Sequence, residues 1–344
     1  MLKLSISLCS HFNTTTTIER IAEMNTPLIS LIILSYNNNE YIYGMLDSIL
    51  KQDYGRIELI ISDDGSDNFP AQTINKYINH QVFPKFEKTF INHNTTNLGT
   101  VKNTELALKH CSGKYVMILG ADDELYSPNT ISILVSEFEN FADDVEVFVS
   151  QAVICDEHLR VTNKVFTDSR YANIINSDDS SLLFSELSLR CFIAAPSTVY
   201  KRSAFSKIGT LSDKYTIVED WASYLRLARA GVKFRYKNIL SVKHREGGVS
   251  CGNKVNSSGV HKKYRLDSVA ICENEIIPYL HIVCKEYIPN ILKNYSVYKM
   301  YYKYSKYENI LSILGIRKIM LPPLRWLLHF IAKILVSHAI NHKC

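Results

Sequence analysis

Several signatures that would direct a chain toward familiar chemistry are missing from these 344 residues. Its eight cysteines (Cys9, Cys111, Cys155, Cys191, Cys251, Cys272, Cys284, Cys344) form no CxxC pair and no metal-ligand spacing. That fits ordinary thiols in a reducing compartment, not a disulfide framework. No GxxxxGK[ST] loop is present, against a P-loop NTPase, and no GxGxxG follows the first apolar run, against a dinucleotide-dependent dehydrogenase. HExxH is also missing, which excludes the usual zinc proteases. No internal repeat occurs. The opening MLKLSISLCSHFNTTTTIER has an apolar run broken by serines and followed by threonines, a poor match to a signal peptide. Residues 1–26 are therefore expected to be a loosely ordered extension.

What is present describes a globular chain. Hydrophobic residues make up 46% and charged residues 21%, so disorder is not expected. The length suits one large domain with an appendage, or two domains. The net charge of +5 is unevenly placed: residues 260–344 hold 13 Lys/Arg against 5 Asp/Glu, whereas residues 1–259 hold 26 against 29. Basic character belongs to the tail, where an acidic partner would be sought.

From Leu28 onward, apolar runs alternate with helical patterns. LISLIILSY (28–36), RIELIISDDGSD (56–67), KTFINH (88–93) and YVMILG (115–120) read as strands, the first of them a continuous run suited to a strand covered on both faces. Between them, Ile42, Met45, Leu46, Ile49 and Leu50 recur at helical spacing, and further helices are expected around 70–80 and over 100–111. Farther on, 144–156 reads as a strand, 181–192 as a helix, 195–209 as a strand and short helix ended by Gly209, and 219–231 as a helix ended by Gly231. SVKHREGGVS (241–250) reads as a basic loop. The alternation predicts an α/β domain with a largely parallel sheet flanked by helices. Ligands bind beyond the carboxyl ends of such strands, which gathers Ser35-Tyr36-Asn37, Asp63-Asp64-Gly65-Ser66 and Asp122-Asp123 on one edge.

Acids at the end of a buried strand need compensation. Asp and Gly form turns readily, which accounts for part of the DDGSD pattern. It accounts less well for Asp122 and Asp123, which end a long apolar run. Mg²⁺ or Mn²⁺, held by one or two carboxylates and by substrate phosphates, would neutralise them. A nucleotidyltransferase would call for a Gly- and Arg-rich loop after strand one, where SYNNNEYI stands instead.

LISLIILSYNNNEYIYGMLDSILKQ, ELIISDDGSDN, NLGTVKNTELALKHCSGKYVMILGADDEL and VEDWASYLRLARAGVKF together resemble the successive motifs of glycosyltransferase family 2. The resemblance spans residues 28 to about 250. It implies the Rossmann-like GT-A fold, a nucleotide-sugar donor (a UDP-sugar first among them), inverting transfer and a Mn²⁺ or Mg²⁺ cofactor. The nucleoside would be held by Ser35, Tyr36 and Asn37, by Glu40 just beyond, and by Asp63 or Asp64. Asn97, Gly99 and Lys102 would follow, with Lys102 standing where an arginine is common; lysine lacks the planar fork. Ala121, Asp122 and Asp123 would meet the diphosphate, and Asp122 and Asp123 the metal. Gly120 departs from the pattern, replacing the first aspartate of the DxD-like motif. Asp220 would be the general base and Glu219 its neighbour toward the acceptor. Lys243, His244 and Arg245 would lie on a glycine-flanked loop closing over the donor, with any of the three pointing inward.

The expected organisation is an extension (1–26), a GT-A domain (27–255) and a helical, basic, Tyr-rich region (256–344). In LRWLLHFIAKILVSHAI (324–340), Arg325, His329, Lys333 and Ser337 form one polar stripe. That suits either an interfacial helix on anionic lipid, through residues 318–341, or a helix packed on the protein; its charges argue against a span. No nucleic-acid partner is expected. The expectation is a cytoplasmic enzyme, peripheral on the inner membrane face, acting on a saccharide or lipid-linked acceptor in cell-surface polysaccharide or glycolipid synthesis. The alternative is an inactive nucleotide-sugar-binding scaffold.

Overall fold

The computed structural model describes residues 26–80, 86–246 and 258–313. The proposed extension (but for Thr26), the glycines after Arg245 and the 324–340 helix lie outside the described residues. The first half builds a parallel sheet from β1 (Ile29–Ser35), β2 (Ile57–Asp63), β3 (Lys88–His93) and β4 (Tyr115–Gly120), in the order β3-β2-β1-β4. β1 is central because both its faces are apolar. Ile29, Leu31 and Ile33 pack against α1 (Ile42–Leu50), and Ile32 packs with Ile60, Val116 and Ala107 on the opposite face. Each fully buried side chain of this size contributes about 1.5–3 kcal/mol, ample to carry the buried Ser30. That hydroxyl is satisfied by Glu58 at 2.5 Å.

Registers bring the strand ends level: Ser35 lies opposite Asp63, Asp63 opposite His93, and Leu34 opposite Gly120. Helices α2 (Ala71–Asn79), α3 (Thr100–Leu108) and α4 (Thr130–Glu139) complete the layers with α1. Beyond β4 the sheet becomes mixed. It continues through β8 (Thr198–Lys201), β6 (Val145–Cys155) and β9 (Lys233–Arg245) to β5 (Glu124–Leu125), while β7 (Val161–Val165) pairs with β6. α5 (Ser180–Leu189), α6 (Ala204–Ile208) and α7 (Asp220–Arg229) cover this half.

One expectation is corrected. Residues 241–245 are the end of β9, not a loop. Lys243, His244 and Arg245 pair in register with Val153, Ile154 and Cys155 of β6, and Lys243 also pairs with Glu124 of β5. Two neighbours supply the ladder, so a polar, charged stretch holds an extended backbone that its composition does not announce.

α8 (Ser258–Ile271), a following turn of π-helix at Cys272–Ile276, and α9 (Ile288–Ile313) pack on α5 and α7. Ile271, Cys272, Ile276 and Ile291 share one buried cluster with Leu187, Trp221 and Leu225. Among the described residues no helix is long and apolar enough to cross a membrane.

Candidate active site

The level strand ends set the first group of polar side chains. Asp63 is fully buried. One of its oxygens accepts from the Ser66 hydroxyl at 2.5 Å; the other accepts from the Ser66 N–H at 2.8 Å and pairs with His93 Nδ1 at 2.7 Å. Asp64 accepts from Leu98 N–H and Gly99 N–H, each at 2.8 Å, and from the Asn94 amide at 3.1 Å. Both acids are thus engaged with protein donors, and Asp64 shapes the 97–99 element, in which Asn97 Oδ1 also accepts from Gly99 N–H at 3.1 Å. Ser35 Oγ, buried beside them, has no hydrogen-bond partner among the described residues. Tyr36 and Glu40 are exposed, and Asn37, at φ 54°, donates its N–H to Ser66 Oγ at 2.7 Å. Lys102 Nζ reaches Ser212 Oγ at 3.4 Å and Glu105 at 3.7 Å.

Gly65 is required where it stands. Its φ is +78°, and a Cβ there would come within 2.6 Å of the Thr96 carbonyl carbon. Gly65→Ala should therefore destabilise by about 1–2 kcal/mol from backbone conformation alone, and by more once the clash is added. Urea unfolding measures the total.

The second group gathers at the end of β4. A Cβ on Gly120 would meet Asp122 Oδ1 at 2.7 Å and Asp123 Oδ2 at 3.4 Å. Two carboxylates therefore converge over a strand position that carries no side chain. Asp122 is pushed above the usual aspartate range by burial and by the charge of Asp123. The other oxygen of Asp123 pairs with His244 Nδ1 at 2.9 Å and accepts from the Arg245 N–H at 3.2 Å. The Arg245 guanidinium donates to the Asp122 carbonyl at 2.9 Å and lies 4.2 Å from the Tyr41 ring centroid. Lys243 faces Glu124 at 3.6 Å. So of the three basic residues, His244 and Arg245 face the acids. Among the described residues no group of three or more His, Cys, Asp or Glu could hold a metal ion alone. The convergence over Gly120 nevertheless fits a divalent ion whose remaining ligands are phosphate oxygens and water.

The third group is Glu219–Asp220, at the start of α7. Asp220 accepts from the Trp221 N–H at 2.7 Å and, at 3.9 Å, from the Cys191 thiol. Burial raises its proton affinity; burial and the charge of Asp220 push Glu219 up to about 8. Holding a carboxyl that far from its usual value near ~4.3 takes on the order of a few kcal/mol. A helix N-terminus returns only about 0.3–1 kcal/mol, rarely ~2, so desolvation wins. The pair borders a cavity of about 70 Å³ walled by Ile118, Leu108, Phe205 and Ala195. Ile118 and Gly120 point to the same face of β4, one repeat of about 6.5–7 Å apart. The cavity with Asp220 thus lies on the face over which Asp122 folds.

Burial alone does not decide an acid's proton affinity. Burial opposes ionisation of Glu58, Glu105 and Glu275 as well, yet the donors around them hold all three below the usual range. Asp122, Glu219 and Asp220 are raised instead. Glu219 and Asp220, short of donors and beside the cavity, mark a reactive site more than a structural one. Sequence reasoning missed His93, Asn94 and Cys191, whose roles depend on register and on chain crossings.

A profile described as Glycosyl transferase family 2 matches residues 30–209. The UDP-Glc:alpha-D-GlcNAc-diphosphoundecaprenol beta-1,3-glucosyltransferase WfaP of Escherichia coli is 26% identical over 250 residues, 70% of this chain and 90% of that protein. A PGL/p-HBAD biosynthesis glycosyltransferase of Mycobacterium bovis is 27% identical over 229 residues, 66% of this chain and 80% of that protein. Among solved structures, S. aureus TarS 1–349 in complex with UDP-GlcNAc aligns with a TM-score of 0.51 at 18% identity, over 78% of this chain and 71% of that chain. That likeness concerns the fold.

Proposed function

The chain belongs to glycosyltransferase family 2 and has the GT-A fold, and from that premise we propose an inverting transferase that uses a nucleotide-sugar donor, a UDP-sugar, and a saccharide or lipid-linked acceptor. The observation that carries the reading is the raised Glu219–Asp220 pair, beside a cavity on the same face of β4 as the convergent Asp122 and Asp123. The UDP-Glc donor and undecaprenol-linked acceptor named for the Escherichia coli relative support the substrate class. Synthesis of a cell-surface polysaccharide or glycolipid is the setting proposed for it. The basic tail (318–341), if it lies on anionic lipid, would hold the enzyme at the inner membrane face.

In the proposed reaction the acceptor oxygen bonds to the anomeric carbon from the side opposite the diphosphate. The bond from that carbon to the diphosphate oxygen breaks, and Asp220 takes the hydroxyl proton. Burial and the Asp220 charge favour the proton on Glu219, which would let Asp220 act in its ionised form. The Asp63–Asp64 turn and the 97–99 element frame the nucleoside, with Ser35 and Tyr36 at its edge. Arg245 brings positive charge to the diphosphate end, with His244 hydrogen-bonded to Asp123 beside it and Lys243 next in the strand. Asp122, with Asp123 beside it, would hold Mn²⁺ or Mg²⁺, which when bound neutralises diphosphate charge.

Thermal unfolding with UDP, with and without Mn²⁺, tests the donor half. At 100 times Kd a ligand adds about 2.7 kcal/mol of apparent stability. The Mn²⁺-dependent part should vanish in Asp122→Asn. UDP release from UDP-sugars tests the rest: binding without turnover across donors and acceptors would instead make the protein a nucleotide-sugar-binding scaffold.

A further inference from the structure

We propose that Asp267, on α8 and beyond the residues matched to the family, is a positioning residue that sets the Glu219–Asp220 pair in place. The inference rests on the reading of Asp220 as the base. Asp267 is 3% exposed, and a single oxygen of its carboxylate accepts three consecutive backbone N–H groups: Thr216 at 2.9 Å, Ile217 at 2.7 Å and Val218 at 3.0 Å. Successive amides converging on one anion make a small nest, and the next two residues in the chain are Glu219 and Asp220.

The same segment is pinned from its other side. The Thr216 carbonyl accepts from the Val101 N–H at 3.1 Å, and a Cβ on Gly99 would stand 2.5 Å from that carbonyl oxygen. Gly99 is in turn held by Asp64. Residues 216–218 are therefore wedged between the element assigned to the nucleoside and the C-terminal helices. α7 is gripped at its far end too: Glu275, 2% exposed, binds Arg226 at 2.7 Å and Arg229 at 3.2 Å, and accepts from Tyr215 Oη at 2.8 Å. Asp267 and Glu275, two buried carboxylates of the C-terminal helices, thus fix both ends of the segment that presents the acid pair. Charge-assisted bonds to backbone N–H are roughly twice as strong as neutral ones, so loss of the Asp267 charge should loosen 216–221 first. A shift on the order of 1 Å at a general base is enough for about a hundredfold loss of rate.

The test uses the full chain with Asp267→Asn, which keeps the shape, and Asp267→Glu, which keeps the charge but moves the oxygen. In Asp267→Asn, amide hydrogen exchange at Thr216–Trp221 should accelerate at least tenfold, while exchange in β1 and β4 stays at the wild-type rate. In both variants, kcat for UDP release from the UDP-sugar turned over fastest by the wild type should fall at least tenfold. The donor KM and Mn²⁺-dependent UDP binding should stay unchanged. If Asp267→Asn fails to fold, Asp267→Glu decides on kcat. Wild-type exchange at 216–221, or a fall in UDP binding equal to the fall in kcat, would overturn the proposal. A wild type without turnover, with Asp220→Asn no different from it, would count against the base assignment alone; the exchange measurement still decides whether Asp267 holds the segment.

Discussion

Asp220→Asn should bind UDP as the wild type does and transfer sugar about 10²–10⁴ times more slowly, the usual contribution of a positioned general base. The substitution preserves shape and the acceptor for the Trp221 N–H, so unfolding should be little affected. The pH profile gives a second readout. Burial raises the proton affinity of Asp220, and burial with the Asp220 charge takes Glu219 up to about 8. The base is active when ionised, so activity should be lost as pH falls through a value above the ordinary aspartate range. Among the described residues the groups facing the pair are Cys191, Tyr200 and Tyr224 at Asp220 and Asp267 at Glu219, and none supplies a compensating positive charge. Stability runs the other way. Between the unfolded and folded values of Glu219 the native state holds the extra proton, so stability declines as pH rises across that interval. Glu219→Gln should remove that decline, as denaturant unfolding at pH 5 and pH 9 would show.

Glu275→Ala should destabilise the fold by about 3–5 kcal/mol, the range for breaking a buried ion pair from one side. Glu275 is almost inaccessible, and its ionised form is favoured by Arg226 and Tyr215, whose hydrogen bonds outweigh burial. Truncation leaves Arg226 and Arg229 without their carboxylate partner beneath α8. Chemical denaturation would register the loss. A result under 1 kcal/mol would mean that water reaches the two guanidinium groups and the pair is not the buried anchor described here.

The strands whose ends carry the candidate site were legible because their apolar runs are continuous and end in polar residues; Ser35 and Asp63 do stand level, with Gly120 opposite the preceding residue, Leu34. The helix at 220–229 was legible from its spacing and from Gly231. β9 was not, because Lys243, His244 and Arg245 look like a solvated loop until β5 and β6 are seen on either side. Partner choice was equally hidden. Asp64 looks like a free ligand in the sequence, yet its oxygens are occupied by Leu98 and Gly99 N–H groups. His93 meets Asp63 only because β2 and β3 pair in parallel at that register. Asp267 lies about fifty residues from the amides it binds, in a region whose composition advertises only lysine and tyrosine. Periodicity reveals which face is buried; it is silent on which distant donor an acid will find.

The bare position at the end of β4 also bears on how this chain could be re-engineered. An aspartate placed at residue 120 would enter volume already occupied by Asp122 Oδ1, only 2.7 Å from the new Cβ. The Asp122 carboxylate would have to rotate away from the place it now holds. Grafting an aspartate there would rearrange the acid cluster at the end of β4 instead of adding to it unchanged.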